Sequence, residues 1–184
     1  LCFLGQDHVQ GGAAAGGLMG HLLPEGGEVG VIISSTSLSC HQCRLKGFQQ
    51  KLASRYPNLH IVDIKENQDR KDEAFKYTLE YCNRRPNLKG IYITGGGIGG
   101  VGTALDIAGK AGKIKVICHD LVPDTLTLLQ NGTVDFAIGQ SATNQGYQLV
   151  KILFDYIIKR QKPASYYIKV PITIATEDTI DCFE

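Results

Sequence analysis

Neither sign of charge is in excess in this chain of 184 residues: 19 lysines and arginines stand against 18 aspartates and glutamates, a net charge of +1. No overall basic field draws it to nucleic acid. Uninterrupted apolar runs of membrane-spanning length are also missing, since even the stretch 149–158 is broken by Lys151 and Asp155, and no membrane partner is expected. The opening Leu1–Asp7 lacks the charged region, long apolar core and cleavage site of a secretory signal. Low-complexity tracts, internal repeats and flexible linkers are absent. The six cysteines, Cys2, Cys40, Cys43, Cys82, Cys118 and Cys182, do not have the dense spacing of a disulfide scaffold. Most fall in apolar contexts where a free thiol packs as a small hydrophobe, a usage that points to a reduced, cytoplasmic compartment. Cys40-His-Gln-Cys43 has redox-motif spacing at the start of a predicted helix, but such a spacing arises easily by chance and no second pair completes a zinc site. No metal and no cofactor is expected.

What is present is alternation. Short apolar runs at 2–4, 29–33, 60–64, 90–94, 115–118, 136–139, 167–170 and 172–174 read as strands. Segments of helical period lie between them at 9–23, 41–56, 69–85, 99–111, 123–131 and 144–159. Pro24-Glu-Gly-Gly, Tyr56-Pro-Asn and Arg85-Pro-Asn close the first three helices. Connectors of this length carry crossovers, so the fold class is α/β, a parallel sheet flanked by helices on both faces. The last helix carries Tyr147, Val150, Phe154, Ile157 and Ile158 on one side, an apolar stripe that needs covering.

The most informative stretch is Gly90-Ile-Tyr-Ile-Thr-Gly-Gly-Gly-Ile-Gly-Gly-Val-Gly102, followed by Ile114-Lys-Val-Ile-Cys118 and His119-Asp120. It reads as strand, glycine turn, helix, strand, and an acid at the strand's carboxyl end, the edge where open α/β sheets bind small ligands. Gly97–Gly102 formally matches the dinucleotide fingerprint, with Asp120 near the place of a ribose-binding acid, which allows a nicotinamide-dependent oxidoreductase. Against that, three strand–helix alternations precede the motif, and Gly95 and Gly96 loosen its turn. Glycine could equally serve close helix–sheet packing.

A third reading comes from the whole chain. The run Gln6 to Leu23, Glu28-Val-Gly-Val-Ile-Ile33, Ser34-Ser-Thr-Ser37, Arg44-Leu-Lys-Gly-Phe-Gln49, Asn87-Leu-Lys-Gly-Ile-Tyr-Ile93, His119-Asp120, Asn131 to Gln140 and Gln145-Gly-Tyr147 together resemble, in order and spacing, periplasmic sugar-binding proteins and LacI-type transcription regulators. The resemblance implies a type I periplasmic-binding fold in which two lobes close on a ligand. The chain, which begins without methionine and in mid-strand, would be a fragment, 1–184, of such a ligand-sensing domain. Residues 5–140 and 170–184 would form the C-terminal lobe, and 141–169 would belong to a mostly missing N-terminal lobe. Asp7, Gln140 and Pro171 would mark the hinge crossings.

The resemblance further implies a small-molecule effector, a sugar or polyol. Asp120 would accept two hydroxyls through charge-assisted bonds, and the Gln140 amide would both donate and accept. Asp120 could otherwise serve a cap or turn before Pro123, and Gln140 a solvated strand end. Gln42 stands where many members carry arginine, Gly96 (or Gly95) where they often carry asparagine, and Gln68 near an often aromatic position. The chain has no tryptophan, and so short a set of side-chain contacts implies either an atypical ligand or heavier use of backbone N–H groups in the loop Gly95–Gly100. The cysteine usage favours a cytoplasmic LacI-type regulator that works as a homodimer and reaches DNA only through a helix-turn-helix head outside this chain. The alternative is the solute-binding receptor of a sugar transporter. Catalysis finds no support: the five histidines are dispersed, and neighbours such as His119 and Asp120 on a strand point to opposite faces.

Overall fold

The computed structural model describes residues 1–182; residues 183 and 184, which the sequence assigns to the C-terminal lobe, lie outside the described residues. In chain order the elements are β1 (Phe3–Gly5), α1 (His8–Leu22), β2 (Gly27–Ile33), α2 (Ser39–Arg55), β3 (Leu59–Glu66), α3 (Lys71–Arg84), β4 (Leu88–Ile93) and α4 (Ile98–Ile107). They continue with β5 (Lys115–His119), α5 (Pro123–Gln130), β6 (Phe136–Gly139), α6 (Ala142–Ile157), β7 (Tyr167–Lys169), β8 (Thr173–Ala175) and a 3-10 helix over Glu177–Cys182.

Six strands form the main sheet in the order β3-β2-β4-β5-β6-β8. Its central strands are buried on both faces, which is why they read as continuous apolar runs rather than alternating ones. Successive side chains go to opposite sides. Val31, Tyr92 and Ile117 pack with Met19, Phe48 and Leu52 under α1 and α2. Ile32, Ile91, Ile93 and Val116 pack with Tyr81, Val101, Leu105 and Leu129 under α3, α4 and α5. Cys118 lies in this second core, fully buried, and burial pushes its thiol pKa up to about 12.

The parallel sheet predicted from sequence has one antiparallel edge: β8 runs antiparallel to β6, with Thr173 opposite Gly139 and Ala175 opposite Ala137. The reason is the direction of entry. The chain leaves the sheet at the carboxyl end of β6, forms α6 and β7, and returns after 170–172 at that same end, so the only way in is down the strand it left.

Glycine decides how α1 meets α2. A Cβ on Gly12 would run into the backbone carbonyl of Arg44, and one on Gly47 into the carbonyl of Val9. The two helices touch backbone to backbone there. Glycine costs about 1 kcal/mol per position in a helix interior, which this contact must offset. The amino end of α1 is capped by Asp7, whose Oδ1 accepts the Gln10 N–H at 3.1 Å, while its Oδ2 pairs with Lys169 at 3.1 Å. These bonds hold the Asp7 carboxyl below its usual range, the Gln10 N–H foremost.

β1 and β7 pair in a separate two-stranded parallel sheet, with Phe3 and Tyr167 stacked 4.9 Å apart. α6 lies beside it and buries none of its residues; Tyr147, Val150, Phe154, Ile157 and Ile158 are all more than half exposed. The stripe predicted from sequence is uncovered.

Candidate ligand-binding site

From β2 the chain turns outward to β3, and β4 then joins the opposite side of β2. At such a reversal the loops diverge and leave a crevice at the carboxyl ends of the strands. The groups gathered there are Ser34 after β2, His41 and Arg44 on the first turns of α2, Asn67–Asp69 after β3, Thr94–Gly97 after β4, and His119-Asp120 at β5. Together they line the edge that the resemblance marks as the ligand wall.

Asp120 leaves β5 in the left-handed region, φ 71°, a conformation few non-glycine residues adopt and one that clusters at functional sites. Its backbone N–H donates to the Ile138 carbonyl at 3.0 Å, and its Oδ1 accepts a bond from Gln140 Nε2. The two residues to which the resemblance gives the ligand's hydroxyls are thus joined to each other. A cleft of about 650 Å³ opens beside them, bounded also by Leu121, Val122, Ser141 and Thr173.

The other sequence candidates spread along the same edge. Gln42 is exposed, its side chain turned back to donate to the Thr36 carbonyl. Gln68 is exposed with φ 51°, its N–H bound to the Ser34 carbonyl at 2.7 Å. Gly96 is held by the neighbouring loop: its N–H donates to Asp69 Oδ1 at 2.7 Å and its carbonyl accepts Asn67 Nδ2 at 2.9 Å.

The hinge residues converge through one the sequence does not single out. Gln6 is 2% exposed, and its Nε2 donates to the Gly139 carbonyl at 2.7 Å and the Pro171 carbonyl at 3.1 Å. One amide therefore ties the passages through Asp7, Gln140 and Pro171.

Beneath the wall a single arginine is surrounded by imidazoles. Arg44 is buried, and its Nη1 donates to the Thr94 carbonyl at 2.6 Å. His41 Nδ1 meets Thr94 Oγ1 at 3.3 Å, and His119 Nε2 meets the Tyr92 hydroxyl at 2.8 Å. Burial first, and the Arg44 charge second, lower the pKa of His8, His41 and His119, that of His119 well below the usual imidazole value. Dispersed in sequence, three of the five histidines gather around Arg44. They are held neutral, and the expectation that His119 and Asp120 diverge is met: His119 is buried against Tyr92, and Asp120 bonds to Gln140.

The dinucleotide reading fails on geometry. A Cβ on Gly99 would strike the Asp124 carboxylate, one on Gly100 the Lys71 carbonyl, and one on Gly102 the Leu128 side chain. These glycines let α3, α4 and α5 pack closely, and Asp124 of α5, set against the start of α4 and paired with Lys71 at 2.6 Å, occupies the place a pyrophosphate would need.

The model of the periplasmic binding protein domain matches residues 1–161. The chain belongs to this family. Among relatives of the periplasmic binding protein domain, the xylose/arabinose-binding protein XylF of Sulfolobus acidocaldarius is 26% identical over 164 residues, covering 86% of this chain and 40% of that protein. The D-allose-binding periplasmic protein of Escherichia coli is 26% identical over 155 residues, covering 83% of this chain and 50% of that protein. AraP, an arabinose binding protein from Geobacillus stearothermophilus, superposes with a TM-score of 0.89 at 28% identity over 100% of this chain and 65% of its own. An ABC transporter solute binding protein from Burkholderia graminis in complex with D-arabinose gives 0.91 at 26% identity, over 99% and 64%. The chain spans half or less of the length of the two curated relatives. Periplasmic binding protein domains of this kind are binding domains, not enzymes. None of these four proteins is a LacI-type regulator by name.

Proposed function

We propose that the chain supplies one sugar-binding wall of a solute-binding receptor for a sugar transporter, taking a pentose or a related neutral monosaccharide in the crevice at the carboxyl ends of β2, β4 and β5. The observation that carries this is Asp120, set in a left-handed conformation at the end of β5 with its carboxylate fixed by Gln140. A carboxylate so held can accept two adjacent hydroxyls, and the relatives above are named for xylose, arabinose and allose. Those names favour the transport receptor over a cytoplasmic, dimeric, DNA-linked regulator.

In this reading, 5–140 and 170–182 form one lobe, while 141–169 belongs to a facing lobe. The separate β1–β7 sheet and the unburied α6 support that division. Closure would then bend the three passages stapled by Gln6. Calorimetric titration of the full-length protein with xylose, arabinose and allose tests the proposal. Binding of at least one, abolished by Asp120→Ala and weakened by Gln140→Ala, is the expected result; no binding of any neutral sugar overturns it.

A further inference from the structure

The loop between β3 and α3 is clamped onto the loop between β4 and α4. Asn67 Nδ2 donates to the Gly96 carbonyl at 2.9 Å and Gly96 N–H donates to Asp69 Oδ1 at 2.7 Å. Gln68 and Asp69 are both left-handed, with φ of 51° and 58°, and that turn carries the Asp69 carboxylate over the glycine loop. A Cβ on Gly96 would lie 2.7 Å from Asp69 Oδ1, so the carboxylate fills the space that a side chain at 96 would take. A Cβ on Gly95 would lie 2.6 Å from His41 Cε1. The glycine loop has no side chains of its own at the cleft because those of its neighbours already stand there.

Only Oδ1 of Asp69 is engaged, and no cation among the described residues forms an ion pair with it. Asp69 is exposed. Its charge acts on His41 from the β3 side, as that of Asp120 does from the β5 side. The cations near this edge are all committed: Arg44 is buried against Thr94, Arg70 is bound to Asp72, Lys71 to Asp124 and Lys169 to Asp7. The histidines are held neutral, burial foremost.

We propose, resting on the sugar-binding reading above, that Asp69 is a second ligand-binding carboxylate of the crevice, and that the Asp69 and Asp120 pair selects neutral polyhydroxylated ligands against their carboxylate and phosphate counterparts. Hydroxyls donate to both acids, whereas an anion meets two like charges with no free cation to offset them.

The test uses the full-length protein, with the neutral sugar that binds best and its uronic acid as probes. Asp69→Asn keeps an oxygen to accept the Gly96 N–H, so the loop and the unfolding midpoint stay as in the parent, while the charge is lost. Sugar affinity falls about tenfold, as for loss of one bond to a charged acceptor, and the preference for sugar over uronate narrows. Unchanged affinity and preference in Asp69→Asn, with Asp69→Ala losing only stability, overturns the proposal and leaves Asp69 a loop clamp. A parent protein that binds no neutral sugar overturns the sugar-binding reading itself.

Discussion

Gln6 and Pro171 are 165 positions apart in sequence and 3.1 Å apart at Gln6 Nε2 and the Pro171 carbonyl oxygen, and the same nitrogen donates at 2.7 Å to Gly139. A buried amide that satisfies two carbonyls cannot be truncated cheaply, because a buried polar group left unpaired costs about 1–3 kcal/mol. Gln6→Leu keeps the approximate volume and removes both donors. Chemical unfolding shows it destabilised by about 1–3 kcal/mol, with the larger loss at Pro171, since Gly139 also accepts Thr173 Oγ1 at 3.0 Å.

The histidines around Arg44 give stability a sign with pH. His8, His41 and His119 have folded pKa values below the usual 6.5, so below that pH the unfolded chain binds protons that the folded chain refuses. Stability is therefore complete above about pH 6.5 and declines as pH falls beneath it. Melting temperature measured from about pH 7 to about pH 5.5 follows that decline, and in His119→Gln the slope is shallower. An unchanged slope in that variant would show that His119 takes no part.

Two glycines of one helix give opposite outcomes. Gly12→Ala drives a methyl into the Arg44 carbonyl and forces α1 from α2, an overpacking cost of about 1–3 kcal/mol. At Gly17 nothing lies within 4 Å of an added Cβ, so Gly17→Ala gains helix propensity and stabilises by about 0.5–1 kcal/mol. Urea denaturation of both variants separates the effects.

The bare face of α6 makes this stretch of chain self-associate when produced alone. Val150 and Ile157 are 68% and 57% exposed and belong to a contiguous apolar stripe. Light scattering is expected to show a molar mass that rises with concentration, and the double variant Val150→Glu, Ile157→Glu to stay monomeric.

The fold is legible where burial writes itself into composition. Strands β2, β4 and β5 stand out because both of their faces are covered, and α1, α2 and α3 because Pro24-Glu-Gly-Gly, Tyr56-Pro-Asn and Arg85-Pro-Asn close them. The antiparallel β8 is not legible, since its direction depends on where the chain re-enters the sheet and not on its residue pattern. In the site, Asp120 and Gln140 could be picked out by order along the chain, and the structure bonds them to each other. Asp69, Arg44 and His41 could not, because each acts through a partner far away: Asp69 on Gly96 across 27 positions, Arg44 and His41 on Thr94 across 50 and 53. Gln6 is silent in sequence for the same reason.

All six cysteines are free thiols, and they are graded in accessibility from Cys182, exposed, to Cys118, sealed in the core with its thiol pKa pushed up to about 12. Only the thiolate reacts with an alkylating reagent, so Cys118 is protected twice, by steric closure and by its retained proton. The protein thus carries a built-in clock for its own opening. The rate at which Cys118 is labelled, set against Cys182 in the same tube, times how often the sheet parts from α4 and α5, and a bound ligand that holds the sheet's carboxyl edge together slows that clock without touching the sulfur.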